Sequence, residues 1–295
     1  MSGFSVHAPA SSANLGPGFD SLAVALDLWL RVDVTPWRGG EVHDAGSPDL
    51  LGGTNLVIDA MRVTADRIGV DLPGCEIVVA SDIPVARGLG SSAAAIVAGV
   101  RVAMLLADHP VTHAEVIDIA GGMEGHADNV SAAELGGVTV AIGVDGGFIA
   151  ESLVSDVPWI PVVFIPDHPS RTHEARGVLP AAIPLADAAA NAGRSALLTL
   201  ALREGRNDLL HEAMIDRLHQ PYRAAIFPHL TPCLTAAREA GALGACLSGA
   251  GPTVLAFATA DTSGRVAQAM TDAADRAGVT GGALALRVAG GARTT

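Results

Sequence analysis

The strongest chemical signal in the chain is a pair of spaced glycines followed by two serines. Residues 84–94 are Pro84, Val85, Ala86, Arg87, Gly88, Leu89, Gly90, Ser91, Ser92, Ala93 and Ala94. Gly88 and Gly90 let the backbone curl with its N–H groups inward, and a helix starting just after them points its positive end at the same place. Together these make an anion site. Ser91 and Ser92 add hydroxyls suited to a phosphate oxygen or a magnesium ion. The plainer reading is an ordinary helix cap after a glycine turn. A dinucleotide site is the third, because Gly88, Gly90 and Ala93 match a G-x-G-x-x-A fingerprint and Asp108 lies near the ribose-binding distance. Against it, residues 84–87 intervene between strand and glycines, and Asp108 follows a helix where a second strand belongs.

Two further segments are dense in usable groups. Glu124, Gly125, His126, Ala127, Asp128 and Asn129 place four polar side chains in six residues. That density suits a metal carboxylate plus substrate hydrogen-bonding groups, or equally a solvated turn between helices. In residues 245–253, a strand breaks at Ser248, Gly249, Ala250, Gly251 and Pro252, where the glycines permit close approach of a ligand or of another backbone. Taken alone it is equally well a hairpin turn. Cys246 beside it has no histidine or charged neighbour in sequence and reads as a packing residue.

The elements that must position these groups follow from periodicity and breakers. Residues 4–10 and 22–36 read as strands around a polar turn at 11–18. A helix capped by Thr54 carries Val57, Met61, Ala65 and Ile68 on its inner face, with Asp59, Arg62 and Asp66 opposite. A strand at 76–80 leads through the glycine loop into a helix near 92–107 and a second at 112–123. A turn at 124–129 and strands at 138–143 and 148–153 follow. Beyond Pro161 come a strand (162–166), helices (172–177, 186–204, 206–217, 231–240), strands (245–248, 253–259), a helix (262–277) and a last strand (283–289). Strands and helices alternate without strict βαβ repetition, so the expected class is α+β in two domains, 1–157 and 158–295.

Composition narrows the chemistry. All 18 cationic residues are arginine, which excludes a Walker-type lysine, a pyridoxal imine and the strand lysine of protein kinases. A net charge of −13, with no basic run, argues against nucleic acid. Residues 1–160 carry 6 Arg against 20 Asp and Glu, whereas residues 161–295 carry 12 against 11, so the second half supplies most cations for an anionic ligand. Three isolated cysteines suggest a reducing cytoplasm, and no apolar run long enough for a membrane span or export leader is expected.

Taken in order, these segments resemble the GHMP kinase superfamily over nearly the whole chain. Residues 8–20 (Ala8, Pro9, Ala10, Ser11, Ser12, Ala13, Asn14, Leu15, Gly16, Pro17, Gly18, Phe19, Asp20) resemble the opening motif of its homoserine kinase family, and residues 124–129 its central motif. Thr172-x-x-x-Arg176-x-x-Leu179-Pro180 and Leu218-His219-Gln220-Pro221-Tyr222-Arg223 resemble later signatures. The resemblance implies ATP-dependent phosphorylation of the side-chain hydroxyl of L-homoserine, giving O-phospho-L-homoserine in threonine biosynthesis. It also implies an N-terminal domain like the second domain of ribosomal protein S5, a ferredoxin-like C-terminal domain, and a homodimer.

Carried over by position, residues 84–94 wrap the ATP phosphates while Ser92 and Glu124 hold Mg²⁺, with Ser91 and Asp118 as the alternatives. Asn14, Asp20, His126 and Asn129 line the amino-acid pocket, Asp20 facing the ammonium, and Thr172, Arg176 and Arg223 approach from the other domain. Arginine offers a carboxylate a planar bidentate partner. Some superfamily members use an aspartate base, which makes Asp128 a candidate here. The favoured mechanism instead rests on in-line positioning and electrostatic stabilisation. The rival functions are phosphorylation of another small alcohol such as mevalonate, and a nucleotide-dependent sensor without turnover. Asn14 and Asp20 favour an amino acid over a plain hydroxy acid, and the intact Gly88, Ser92 and Glu124 speak against the sensor.

Overall fold

The computed structural model describes residues 2–37, 40–46, 55–170 and 172–295, the side chains of residues 172 and 173 excepted. Two long antiparallel strands, β1 (Phe4–Ala13) and β2 (Leu22–Pro36), open the chain, and β3 (Val42–Asp44) follows. β1 runs further than expected. Ser11, Ser12 and Ala13 pair with Ala25, Val24 and Ala23 and are buried, so the turn begins only at Asn14.

The proposed cap Thr54 lies outside the described residues. Helix α1 (Leu56–Ile68) is capped by Asn55, whose side chain accepts from the Val57 N–H, and it ends at Gly69 in the left-handed conformation. Val57, Met61 and Ala65 form its buried face as expected. In β4 (Cys75–Ser81), Cys75, Ile77 and Val79 point inward while Glu76, Val78 and Ala80 point out, the period of two that a half-buried strand requires. Helix α2 (Ser91–Leu106) is apolar nearly all round and buried to match. Gly99 lets α1 approach it, since a Cβ there would stand 2.4 Å from the Val57 carbonyl oxygen.

Helices α3 (His113–Glu124) and α4 (Asp128–Leu135) precede the hairpin β5 (Val138–Val144) and β6 (Gly147–Val154). The expected turn at 124–129 is therefore only three residues long, because Asp128 already starts α4. The first sheet runs β3-β4-β2-β1 and then β11 (Arg293–Thr294), with β5 pairing the start of β2 and β6 outside it.

The second sheet contains β7 (Ile160–Pro166), β8 (Gly244–Leu247), β9 (Val254–Ala258) and β10 (Gly281–Ala285), in the antiparallel order β10-β7-β9-β8. Numbered within this sheet the order is 4-1-3-2, the ferredoxin-like arrangement. Between β7 and β8 lie α5 (Thr172–Gly177), α6 (Leu185–Glu204), α7 (Asn207–Ala213), α8 (Gln220–Arg223) and α9 (Leu230–Glu239); α10 (Ala260–Arg276) joins β9 to β10. The helix expected over 206–217 stops at Ala213, and the signature at 218–223 carries the short α8.

The last residues depart from the 158–295 division. Val288 and Gly290 bridge to Leu26 and Gly136, and β11 pairs with β1, covering the edge of the first sheet. An open strand edge leaves N–H and C=O groups unpaired, and the chain end satisfies them. Among the described residues no helix is long and apolar enough to cross a membrane.

Candidate active site

The glycine loop sits between the end of β1 and the turn that joins β8 to β9. Ala86, Gly88 and Gly90 all have positive φ, at 54°, 76° and 67°. A Cβ on Gly90 would stand 2.1 Å from Ser11 Oγ, and one on Gly88 would stand 2.5 Å from the Ser248 carbonyl oxygen, so neither position accepts a side chain. The loop is bonded to both neighbours. The Ser11 N–H donates to the Leu89 carbonyl at 3.1 Å and the Thr253 N–H to that of Arg87 at 3.2 Å, while Ser248 Oγ donates to that of Gly88 at 2.6 Å. The Arg87 guanidinium is engaged by backbone, donating to the carbonyls of Val85 and Pro166, both at 2.8 Å, and of Asp167. The turn at 248–253 thus receives another backbone, that of the glycine loop, and Gly249 and Ala250 also line the cleft beside it.

That cleft measures about 880 Å³ and is lined by residues 85–92 of the loop together with groups from both halves of the chain. The ladder of α2 begins with the Ala94 N–H on the Gly90 carbonyl, which leaves the N–H groups of Ser91, Ser92 and Ala93 without partners inside the helix. Those groups and the helix dipole face the cleft, a fit for phosphate. Within residues 84–94 the contributions differ. Pro84 does not line the cleft, the Ala93 and Ala94 side chains are wholly buried, and the Ala94 N–H is already engaged. The dinucleotide reading fails because α2 is followed by Asp108 and α3 rather than by a strand.

Opposite the loop, Gly125 at φ 82° ends α3 and turns the chain so that Glu124, His126, Asp128 and Asn129 line one wall. Glu124 Oε1 is buried without a hydrogen-bond partner, and its Oε2 lies 3.9 Å from His126 Nε2. A buried carboxylate oxygen left unpaired, in a cleft that Ser91 and Ser92 also line, offers the kind of hard-oxygen donor that Mg²⁺ takes alongside phosphate oxygens. Asp118 is elsewhere, accepting from the Phe148 N–H at 2.9 Å to anchor β6. His126 Nδ1 donates to Asp128 Oδ1 at 2.6 Å, which also accepts from the Asn129 N–H at 2.7 Å. Burial works against a charged His126, as does Arg176, but the Asp128 bond and the Asp128 and Glu124 charges outweigh both and raise its pKa. Ser11 Oγ fixes Asn129 by donating to Oδ1 at 2.9 Å.

The third wall is built by the loop after β1. Asn14, Leu15 and Asp20 have positive φ, a concentration of backbone strain that its surroundings must hold in place. Asn14 does so by donating to the Gly249 carbonyl at 2.8 Å while its Oδ1 accepts from the Asp20 N–H at 3.0 Å. Across the cleft mouth, Arg176 of α5 grips both Asp20 oxygens, at 2.8 and 3.2 Å. Thr172 opens α5, and its side chain lies outside the described residues. Arg223 on α8 is only 1% exposed and, among the described residues, has no carboxylate within ion-pair distance. Burial first, then the neighbouring Arg176, pulls its pKa down to about 10. Such a cation is poised for an incoming anion.

Two residues here escaped the sequence reading. Phe19 presents its ring to both guanidiniums, at 5.7 Å from Arg176 and 5.6 Å from Arg223, and His219 packs 5.3 Å from the same ring. Both belong to segments recognised above, but nothing local signals what they touch. Cys246 is fully buried and burial pushes its thiol pKa up, consistent with packing.

Comparison with known proteins places this geometry. The model for the GHMP kinases N terminal domain matches residues 55–137 and that for the GHMP kinases C terminal region matches residues 198–276. A homoserine kinase of Desulfitobacterium hafniense is 40% identical, covering 96% of each chain, and one of Deinococcus radiodurans is 44% identical over 86% of this chain and 84% of its own. The crystal structure of homoserine kinase from Cytophaga hutchinsonii superposes with a TM-score of 0.91 at 26% identity, over 100% of this chain and 98% of that one. The L. major mevalonate kinase in complex with R-mevalonate shares the fold, at a TM-score of 0.72 and 18% identity over 96% and 95% of the two chains. With both halves matched in order and near-full-length relatives at this identity, the chain belongs to the GHMP kinases, in their homoserine kinase family.

Proposed function

We propose that the protein transfers the γ-phosphoryl group of ATP to the side-chain hydroxyl of L-homoserine, giving ADP and O-phospho-L-homoserine for threonine biosynthesis. The observation that carries the substrate is the set of three charges at one end of the cleft: Asp20 for an ammonium, and Arg176 and the unpaired Arg223 for a carboxylate. Mevalonate has a carboxylate but nothing for Asp20. The phosphate end uses the free N–H groups of Ser91, Ser92 and Ala93 in place of the lysine this chain lacks.

In this reading Asn14, Asp20, Arg176 and Arg223 orient the amino acid, and the α2 terminus orients the triphosphate. The substrate oxygen then bonds to the γ-phosphorus as the bond to the ADP oxygen breaks in line, and the hydroxyl proton passes to an oxygen of the transferred phosphoryl group. Ser92 and Glu124 would hold Mg²⁺, which neutralises charge on the phosphate oxygens when bound. Asp128 Oδ1 is already an acceptor for His126 and for the Asn129 N–H, so we assign Asp128 to holding the wall rather than to removing the hydroxyl proton. A cytoplasmic location and a homodimer belong to the same reading, the latter checked by light scattering.

The test is ADP release with ATP and Mg²⁺ on L-homoserine, L-serine, L-threonine and mevalonate in parallel. Turnover confined largely to L-homoserine is expected. Turnover on mevalonate alone would overturn the substrate argument, and tight ATP binding without turnover would favour a sensor.

A further inference from the structure

We propose that His219 is a positioning residue for amino-acid recognition: its neutral imidazole, protonated on Nε2, sets the Arg223 guanidinium and ties it to the loop that carries Asp20. The inference rests on the homoserine kinase reading above and names a residue outside the cleft lining, which His219 does not join.

The ring is wholly buried and bonded at both nitrogens. Nε2 lies 2.9 Å from the Gly16 carbonyl oxygen, and Nδ1 lies 3.0 Å from Arg223 Nη1. A carbonyl only accepts and a guanidinium only donates, so one form satisfies both contacts: hydrogen on Nε2 and a lone pair on Nδ1. A doubly protonated ring would set N–H against N–H at Arg223.

Each of these partners matters to the substrate end. Arg223 Nε donates to the Ala175 carbonyl at 3.1 Å, and Nη1 is shared between His219 Nδ1 and the Gly249 carbonyl, also at 3.1 Å. Among the described residues no hydrogen bond engages Nη2, which leaves that nitrogen for a ligand in the cleft that Arg223 lines. Gly16 belongs to the loop that continues through Phe19 to Asp20. His219 therefore couples the cation for a carboxylate to the anion for an ammonium, and so fixes the spacing at which the two ends of an amino acid are met. The residue is itself anchored: Asp216 Oδ2 accepts from the N–H groups of His219 and Gln220, at 2.9 and 2.7 Å, holding the start of α8.

The test compares His219→Asn, His219→Gln and His219→Leu in steady-state kinetics with L-homoserine and ATP varied separately. Asparagine places an amide oxygen near the Nδ1 position and keeps an acceptor for Arg223, whereas glutamine keeps a donor near Nε2 and loses that acceptor. His219→Gln and His219→Leu should raise the KM for L-homoserine by about ten- to a hundredfold, the range for losing a hydrogen bond to a charged group. The KM for ATP should stay within about twofold, and His219→Asn, which keeps the acceptor for Arg223 but not the donor to Gly16, should recover part of the loss. Unchanged homoserine KM in the Gln and Leu variants, an ATP KM rising in step, or Asn no better than Gln would each overturn the inference. Should His219→Leu not fold, the Asn and Gln pair decides. Wild-type protein inactive on homoserine would instead overturn the kinase reading itself, and this inference with it.

Discussion

Asp20→Asn tests whether the cleft recognises both charges of an amino acid. Asp20 and Arg176 pair at 2.8 Å with side chains 34% and 39% exposed. Pairs that open contribute only about 0–1 kcal/mol to stability, so the substitution should move the Tm little. The substrate feels it more. A bound zwitterion would replace each half of the pair, its ammonium taking Asp20 and its carboxylate taking Arg176. 4-Hydroxybutyrate carries the same hydroxyl and carboxylate without the ammonium, and leaves Asp20 competing with it for Arg176. A hydrogen bond to a charged group contributes about 1.5–3 kcal/mol, and partial exposure puts this one near the lower end, about 1.5 kcal/mol or roughly tenfold. Wild-type kcat/KM should favour L-homoserine over 4-hydroxybutyrate by about tenfold or more, and Asp20→Asn should bring the two within about threefold, chiefly through loss on homoserine. Coupled ADP release at saturating ATP measures both. Because the ratio is taken within one variant, any loss of folded protein cancels. A variant that keeps the wild-type ratio would refute the assignment of Asp20 to the ammonium.

Four further outcomes follow from the geometry. Gly90→Ala, at a φ of 67° with Ser11 Oγ where the new carbon would stand, should lower stability by about 1–3 kcal/mol in urea unfolding and weaken ATP in a nucleotide titration. Equal stability and affinity would show the loop to be elsewhere. Glu124→Gln keeps the shape and removes the charge, so the Mg²⁺ concentration for half-maximal rate should rise about tenfold, whereas an unchanged Mg²⁺ curve would remove Glu124 from the metal. Asp128→Asn should cost about tenfold or less in kcat; a loss of several orders of magnitude at constant KM would restore it as a base. Burial and the Arg223 charge hold the His219 pKa down to about 4 from 6.5, against Asp216, the Gly16 carbonyl and Asp20. The unfolded chain therefore takes up the proton first as pH falls, and this contribution is lost between pH 6.5 and about 4. His219→Asn should narrow the difference between urea midpoints at pH 7 and pH 5; an unchanged difference would mean that other groups carry it.

How far the fold was legible depended on whether an element's cause was local. Helix α1 and strand β4 declared themselves because each buries one face and solvates the other, so polarity alternates at the element's own period. Helix α4 did not, since Asp128 and Val130 through Glu134 are all buried and no polar face marks the period. The four-residue α8 and two-residue β11 are too short for any pattern, and β11 exists because β1 has an edge to cover.

The site divides along the same line. Glycines at positive φ, serines at a helix start and the lack of lysine are properties of neighbouring residues, and from them the sequence alone pointed to an anion site built on backbone and helix dipole rather than on a lysine. Which residues complete that site depended on contacts between distant parts of the chain. Arg176 reaches Asp20 across 156 positions and His219 reaches Gly16 across 203, and neither contact leaves a trace in local composition. Family likeness nominated the two arginines. Only the tertiary structure decided that Arg223 is buried without a carboxylate, that Phe19 and His219 hold it, and that Asp118 belongs to β6, because burial and pairing are set by what the fold brings alongside rather than by what comes next in the chain.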